Sequence, residues 1–221
     1  YTIGKQFKNL KVFLNWCFER EYCKRFSLKH IQNKQEIVES VYLNIDDKKK
    51  MNNLILDGLN EKVRDCFILG CEIGFRFSDL IKIKPAHIEQ NINGFNIKIQ
   101  QQKTREEVIV PLSKVAYAIL KKYDNSSPTP NIRSEEFNKR IKEIAKNAGI
   151  DKTINQYRRV RGIIQQFEFK KYELISSHTC RRTFTTLLVI KKAPTPMIMK
   201  ITGHKTERNF FRYVRLEKEV N

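Results

Sequence analysis

The chain has 221 residues, with 43 Lys and Arg against 24 Asp and Glu, a net charge of +19. A protein this basic is matched to polyanions, nucleic acid first and an anionic membrane surface second. No run of roughly 18 or more apolar residues occurs, so the sequence proposes no transmembrane helix.

The opening YTIGKQFKNL has neither the apolar core of a signal peptide nor an initiator Met, so the chain is expected to be a piece of a longer protein. Phe7, Leu10, Phe13, Leu14, Trp16 and Cys17 form a helical stripe within residues 7–26. Residues 27–45 are polar and basic and read as a linker with some extended structure. Met51, Leu54, Ile55 and Leu59 suit an amphipathic helix begun at Asp46-Asp47, and Val63, Cys66, Phe67 and Gly70 mark a buried one. Arg76 follows, set in a turn before Ser78 and Asp79, two good N-cap types. The plainer reading of Arg76 is a side chain bonded to helix-end carbonyls or to Asp79.

Beyond it the period changes to two. Phe95, Ile97 and Ile99, then Val108 and Val110, alternate with polar residues and predict a hairpin, with a third strand at residues 88–91. Lys103 sits near its tip, where most lysines are merely solvated. Helices are expected over residues 113–123 and from Ser134 to a stop at Gly149. Between Lys139 and Tyr172 stand ten basic residues and three acidic ones, a surface suited to phosphates. The spacing of Phe184, Leu187 and Leu188 predicts a helix carrying His178 and Arg181 on one face. Thr195-Pro196 starts a further helix, which Gly203 ends, delivering His204 at the helix end. A last helix from Thr206-Glu207 is expected to carry Tyr213 on its second or third turn.

Five cysteines, Cys17, Cys23, Cys66, Cys71 and Cys180, show no CxxC pair, which argues for a reducing compartment. Cys66, Cys71 and His87 are types that could bind zinc; buried thiols are the plainer reading.

Arg76, Lys103, His178, Arg181, His204 and Tyr213 are two guanidiniums, an ammonium, two imidazoles and a phenol. No carboxylate cluster of the kind that holds magnesium accompanies them, and no nucleophile–His–carboxylate triad is proposed by the sequence. The set suits phosphoryl transfer without a metal. Two arginines can clamp the non-bridging oxygens of a phosphodiester as charge develops on them. Tyrosine can attack the phosphorus and form a covalent phosphodiester, with a histidine to take the phenolic proton and the lysine to protonate the leaving oxygen. The phenol's free pKa of about 10 requires such neighbours. Each position alone is weak evidence; their order and spacing together are strong.

CEIGFRFSDLIKI, the lysine in QQQKTREEVIVPL, SHTCRRTFTTLLVI and ITGHKTERNFFRYV resemble the motifs of tyrosine recombinases, the phage integrase family, with integrases of bacterial mobile elements nearest in likeness. Arg76 matches the family's first arginine, Lys103 its hairpin lysine, His178 and Arg181 its HxxR pair, His204 the histidine after glycine and Tyr213 the nucleophile. The resemblance covers Asp46 to Tyr213, while Tyr1 to Phe26 resembles only the closing helices of a core-binding domain. Ile73 and Phe75 stand where the family often has Thr and Leu, and Arg182 where many members have a second His.

The resemblance implies a mainly α (α+β) fold: a helical catalytic domain at 46–221 with a small antiparallel sheet of two or three strands, a linker at 27–45, and the helical end of a core-binding domain at 1–26. It further implies a site-specific recombinase working through a 3′-phosphotyrosine without metal, ATP or other cofactor. The implied partner is double-stranded DNA, bound by a homo-tetramer on paired sites that is monomeric in solution and acts on the bacterial nucleoid in the cytoplasm, with no membrane. Lys139, Arg140, Arg158, Arg159, Arg161, Arg182 and Lys205 are the expected DNA contacts. Two other readings explain the charge: a basic DNA-binding regulator that cuts nothing, and a relaxing topoisomerase using the same chemistry.

Overall fold

The computed structural model describes residues 2–24, 40–92, 94–103, 105–160, 163–211 and 213–214, and so leaves most of the expected linker outside the described residues. The chain divides into two compact units: residues 40–155 with 168–221, and residues 1–39 with 156–167.

In the larger unit, Asn44 caps α2 (Ile45–Asn52) by accepting from the Asp47 N–H, and the Asp47 carboxylate accepts from the Asn44 N–H in return. The expected longer helix does not form: Leu54 and Ile55 fall beyond α2, and Ile55 is fully exposed. Helix α3 (Gly58–Ile73) is buried along its second half, from Val63 to Cys71 and at Ile73. Burial on every side suits a central helix, and the two charged residues in that run, Arg64 and Asp65, bond to each other. It ends at Gly74, whose left-handed backbone (φ 71°) turns the chain towards Arg76. The single-turn α4 (Phe77–Leu80) then starts with Arg76 as its N-cap residue; Ser78 and Asp79, the expected caps, lie inside it.

A three-stranded antiparallel sheet follows, in the order β1 (Ile88–Asn91), β2 (Gly94–Gln100), β3 (Glu107–Pro111). Its register pairs Ile97 with Val110 and Ile99 with Val108, and all four side chains face the core. Period-two alternation therefore fixes which face is buried, and beyond it Lys103, in the β2–β3 turn, is exposed. Helix α5 (Lys114–Lys122) is capped by the Ser113 hydroxyl, and α6 (Ser134–Asn147) buries Phe137, Ile141, Ile144 and Ala145.

A two-stranded sheet of β4 (Thr153–Val160) and β5 (Ile163–Lys170) was not expected. Helix α7 (Ser177–Ile190) packs closely on α3: a Cβ at Gly70 would lie 2.7 Å from the Cys180 sulfur. Helix α8 (Thr195–Thr202) ends as expected at the left-handed Gly203 (φ 58°). Helix α9 (Glu207–Phe211) is short, and Tyr213 lies beyond it rather than on a later turn. There the Tyr213 N–H donates to the Phe210 carbonyl (2.8 Å), a tight turn that replaces further helix.

The smaller unit holds α1 (Thr2–Glu19), where Phe13 stacks on Trp16 and the Arg20 guanidinium lies 4.7 Å from the Trp16 ring.

Candidate active site

The two arginines are set by backbone carbonyls. Arg181, on the second turn of α7, is 2% exposed, and its Nη1 donates to the Gly74 carbonyl (2.9 Å). Burial and the nearby Arg76 lower its pKa to about 10, so it stays cationic at neutral pH. Arg76, at the head of α4, donates from Nη1 to Gln101 Oε1 (2.8 Å) and from Nη2 to the Gly203 carbonyl (3.3 Å). Its plainer reading, a bond to a helix-end carbonyl, thus describes part of what it does. Asp79 Oδ2 lies 4.0 Å from Arg76 Nη1 without a hydrogen bond, while Oδ1 accepts from the Gln102 N–H (3.0 Å) and so pins the start of the Lys103 turn.

Tyr213 sits beneath cations. The Arg181 guanidinium carbon is 5.9 Å from its ring centre and that of Arg182 is 5.7 Å, both in the range of cation–π attraction. The His204 ring is 4.7 Å from the Tyr213 ring, and buried Phe210 meets His204 edge-on at 5.7 Å. Burial first, then the charges of Arg181 and Arg76, hold His204 down at about 4, so it is neutral at pH 7. His178 lies on the first turn of α7, whose leading Ser177 N–H donates to Asn138 Oδ1 (2.7 Å). Its pKa is lowered by partial burial and then by the charges of Arg182, Arg181, Arg76 and Lys103. His178 stands one helical turn before Arg181 on α7.

Five separate segments therefore meet: the α4 head, the β2–β3 turn, the first turns of α7, the end of α8 and the end of α9. Of the expected site residues, Arg76, His178, Arg181, His204 and Tyr213 come together, with Lys103 exposed on the adjoining turn. The expected DNA contacts are scattered. Lys139 is exposed on α6, where Arg140 donates to Asn60 Oδ1 (3.0 Å) and pairs with Glu136. Arg158, on β4, donates to Gln156 Oε1 (2.7 Å), and Lys205 is exposed after His204. Arg182 lies over Tyr213, while Arg161 and the side chain of Arg159 lie outside the described residues.

Gln101 is the residue that sequence reasoning missed. It is buried, accepts from Arg76 and donates from Nε2 to the Ile201 carbonyl (2.8 Å). It thereby ties the Lys103 turn to Arg76 and to the α8 end that carries His204. Glycine suits 203 on two counts: its backbone is left-handed (φ 58°), and a Cβ there would meet Gln101 Oε1 at 2.3 Å and displace that amide. The one available signal was position: Gln101 continues the inward alternation of Ile97 and Ile99 just past the end of β2, two residues before Lys103. Among the described residues, no group of three His, Cys, Asp or Glu side chains is arranged to hold a metal ion.

The description "Phage integrase family" matches residues 41–219. The chain belongs to the phage integrase family. Solved structures similar to this integrase-family chain include a lambda integrase dimer bound to a COC′ core site (14% identity, 97% of this chain and 72% of that one, TM-score 0.68). The Tn1549 transposon integrase in complex with circular intermediate DNA is also similar (13%, 99% and 76%, 0.61). So is XerH site-specific recombinase bound to difH substrate (15%, 79% and 50%, 0.56), so the chain spans about half the length of that relative. At these identities the likeness shows the fold: mostly helical, with small sheets. No curated protein matches the chain significantly.

Proposed function

We propose that the chain is the catalytic part of a site-specific DNA recombinase that cleaves and rejoins strands through a 3′-phosphotyrosine, without metal or ATP. The observation that carries this is Tyr213 lying between the Arg181 and Arg182 guanidiniums and the neutral His204 ring. A phenol there has an imidazole beside it as a candidate proton acceptor, and guanidiniums close by for the charge that develops on a phosphate.

On this reading Arg76 and Arg181 hold the non-bridging oxygens of the scissile phosphate. Both guanidiniums are already anchored to backbone carbonyls, so little reorganisation is needed as charge develops. The Tyr213 oxygen attacks phosphorus, its proton passing to a histidine, His178 or His204. The bond from phosphorus to the 5′ oxygen breaks, and that oxygen takes a proton from Lys103. The new phosphotyrosine keeps a phosphodiester bond, so attack by another 5′-hydroxyl reverses the step on a new partner strand.

Residues 46–221 are read as the catalytic domain, 27–45 as a linker and 1–26 as the end of a core-binding domain. The partner is double-stranded DNA, gripped by a homo-tetramer on paired sites, as a lambda integrase tetramer is bound to a Holliday junction. The place of action on this reading is the bacterial cytoplasm, at the nucleoid. Lys139, Lys205 and the arginines of β4 and its neighbourhood are candidate phosphate contacts.

The test uses duplexes selected from a random pool by binding to the protein, then nicked near each candidate site and incubated in chelator. The expected result is a covalent protein–DNA complex that survives denaturation and disappears in Tyr213→Phe while binding persists. Binding with no covalent complex at any nick position would overturn the reading in favour of a DNA-binding regulator.

A further inference from the structure

Thr202 ends α8 with two short contacts at its hydroxyl oxygen. Oγ1 lies 2.6 Å from the Ile198 carbonyl, four residues back, and 2.7 Å from His204 Nδ1. The Met199 carbonyl is farther, at 3.5 Å. Thr202 is fully buried.

A threonine hydroxyl has one proton to give and two lone pairs to offer. The Ile198 carbonyl has no proton. Two oxygens held 2.6 Å apart in a buried place repel unless a proton lies between them, so the hydroxyl proton goes to Ile198. The 2.7 Å contact to Nδ1 then needs a proton too, and the only group left to supply it is the imidazole. Which nitrogen of a histidine is protonated is set by the bond the other makes. We infer that Thr202 fixes His204 as the Nδ1–H tautomer, so that this histidine gains and loses its proton at Nε2 alone.

The consequence deepens the proposed reaction and rests on it. A neutral His204 of this tautomer carries a lone pair on Nε2. It can accept a phenolic proton: the O–H bond of Tyr213 breaks, an N–H bond forms at Nε2, and the imidazolium is left with Nδ1–H still on Thr202. Only that imidazolium can donate from Nε2 to a phosphate oxygen. A neutral His204 with the opposite tautomer would donate to phosphate from the outset and could not serve as the base through that nitrogen. Thr202 touches no reacting atom and is a positioning residue. The ionisable groups acting on His204 are Arg181 from α7 and Arg76 at the α4 head, with the Tyr213 ring beside it.

The test is long-range proton–nitrogen correlation NMR of the whole chain, with ¹⁵N-labelled histidine, at pH 7 and without DNA. The His204 signal is assigned by its loss in His204→Gln. In wild type the expected pattern is a protonated Nδ1 and a bare Nε2. Thr202→Ser should keep that pattern. Thr202→Val, which is isosteric but lacks the hydroxyl, should shift His204 towards the Nε2–H form while the other histidine signals stay in place. A protonated Nε2 in neutral wild type overturns the inference, and so does a Val variant with an unchanged tautomer. If the Val variant does not fold, the wild-type spectrum decides alone. Because the readout involves no cleavage, it stands or falls separately from the recombinase reading.

Discussion

At His204, burial and the charges of Arg181 and Arg76 all disfavour the imidazolium and bring its pKa from 6.5 to about 4. The unfolded chain therefore binds more protons than the folded one between those values, and stability falls as pH drops from 6.5 towards 4. His178 is shifted the same way and adds to the slope. Denaturant unfolding at pH 7 and pH 4.5 should show a loss smaller in His204→Gln than in wild type. The expected difference is on the order of 1–2 kcal/mol after allowing for solvent screening. An equal loss in both proteins would mean that His204 is not desolvated as described. At this scale the motifs made Arg76, Lys103, His178, Arg181, His204 and Tyr213 legible, because charged and nucleophilic types in a fixed order stand out. Gln101 and Thr202 did not stand out. Their roles depend on acceptors supplied by other segments, and neither residue type announces chemistry by itself.

The elements were legible where one face is buried. Alternation in residues 94–110 and the three-to-four spacing in residues 134–148 each state a period, and strands and a helix form there. The strands β4 and β5 were not legible, because burial there does not follow hydropathy: β4 turns Ile154 and the polar Gln156 inward while apolar Tyr157, Ile163 and Ile164 are exposed. Their pairing comes from the backbone, which hydropathy does not report. The knot around Gln101 makes a prediction about elements. Gln101→Leu leaves the Ile201 carbonyl and one Arg76 donor without their partner, and should cost about 2–4 kcal/mol in thermal or denaturant unfolding. Gln101→Glu keeps an acceptor for Arg76 and places an anion beside the proposed phosphate site. It should therefore bind inorganic phosphate and DNA more weakly than its stability alone implies, and undiminished binding would remove Gln101 from the site.

For the molecule as a whole, the net charge of +19 is spread over many segments, not confined to the site. Counterion release then predicts a linear fall of log affinity with log salt, roughly 10³–10⁵-fold between about 50 and 200 mM if six to ten phosphates are neutralised. Lys139→Ala and Lys205→Ala should each reduce the slope by about 1 if the side chain meets a phosphate. A flat salt dependence measured by fluorescence anisotropy would detach the charge from DNA binding. The fold class was read from the family resemblance, supported by local periods in the stretches that state one, such as residues 94–110 and 134–148. The convergence of five distant segments could not be read from such periods: the sequence gives residue order, and the distances between Arg76, Arg181 and Tyr213 arise from how α3, α7 and the chain ends pack.

Gly74 occupies a singular place in that packing. Its carbonyl holds Arg181, its left-handed turn leads to Arg76 two residues on, and a Cβ there would lie 2.2 Å from the Phe184 ring. The gap between the two guanidiniums is thus gauged from a single residue with no side chain. A side chain introduced at this position would therefore disturb Arg76 and Arg181 together, not one at a time.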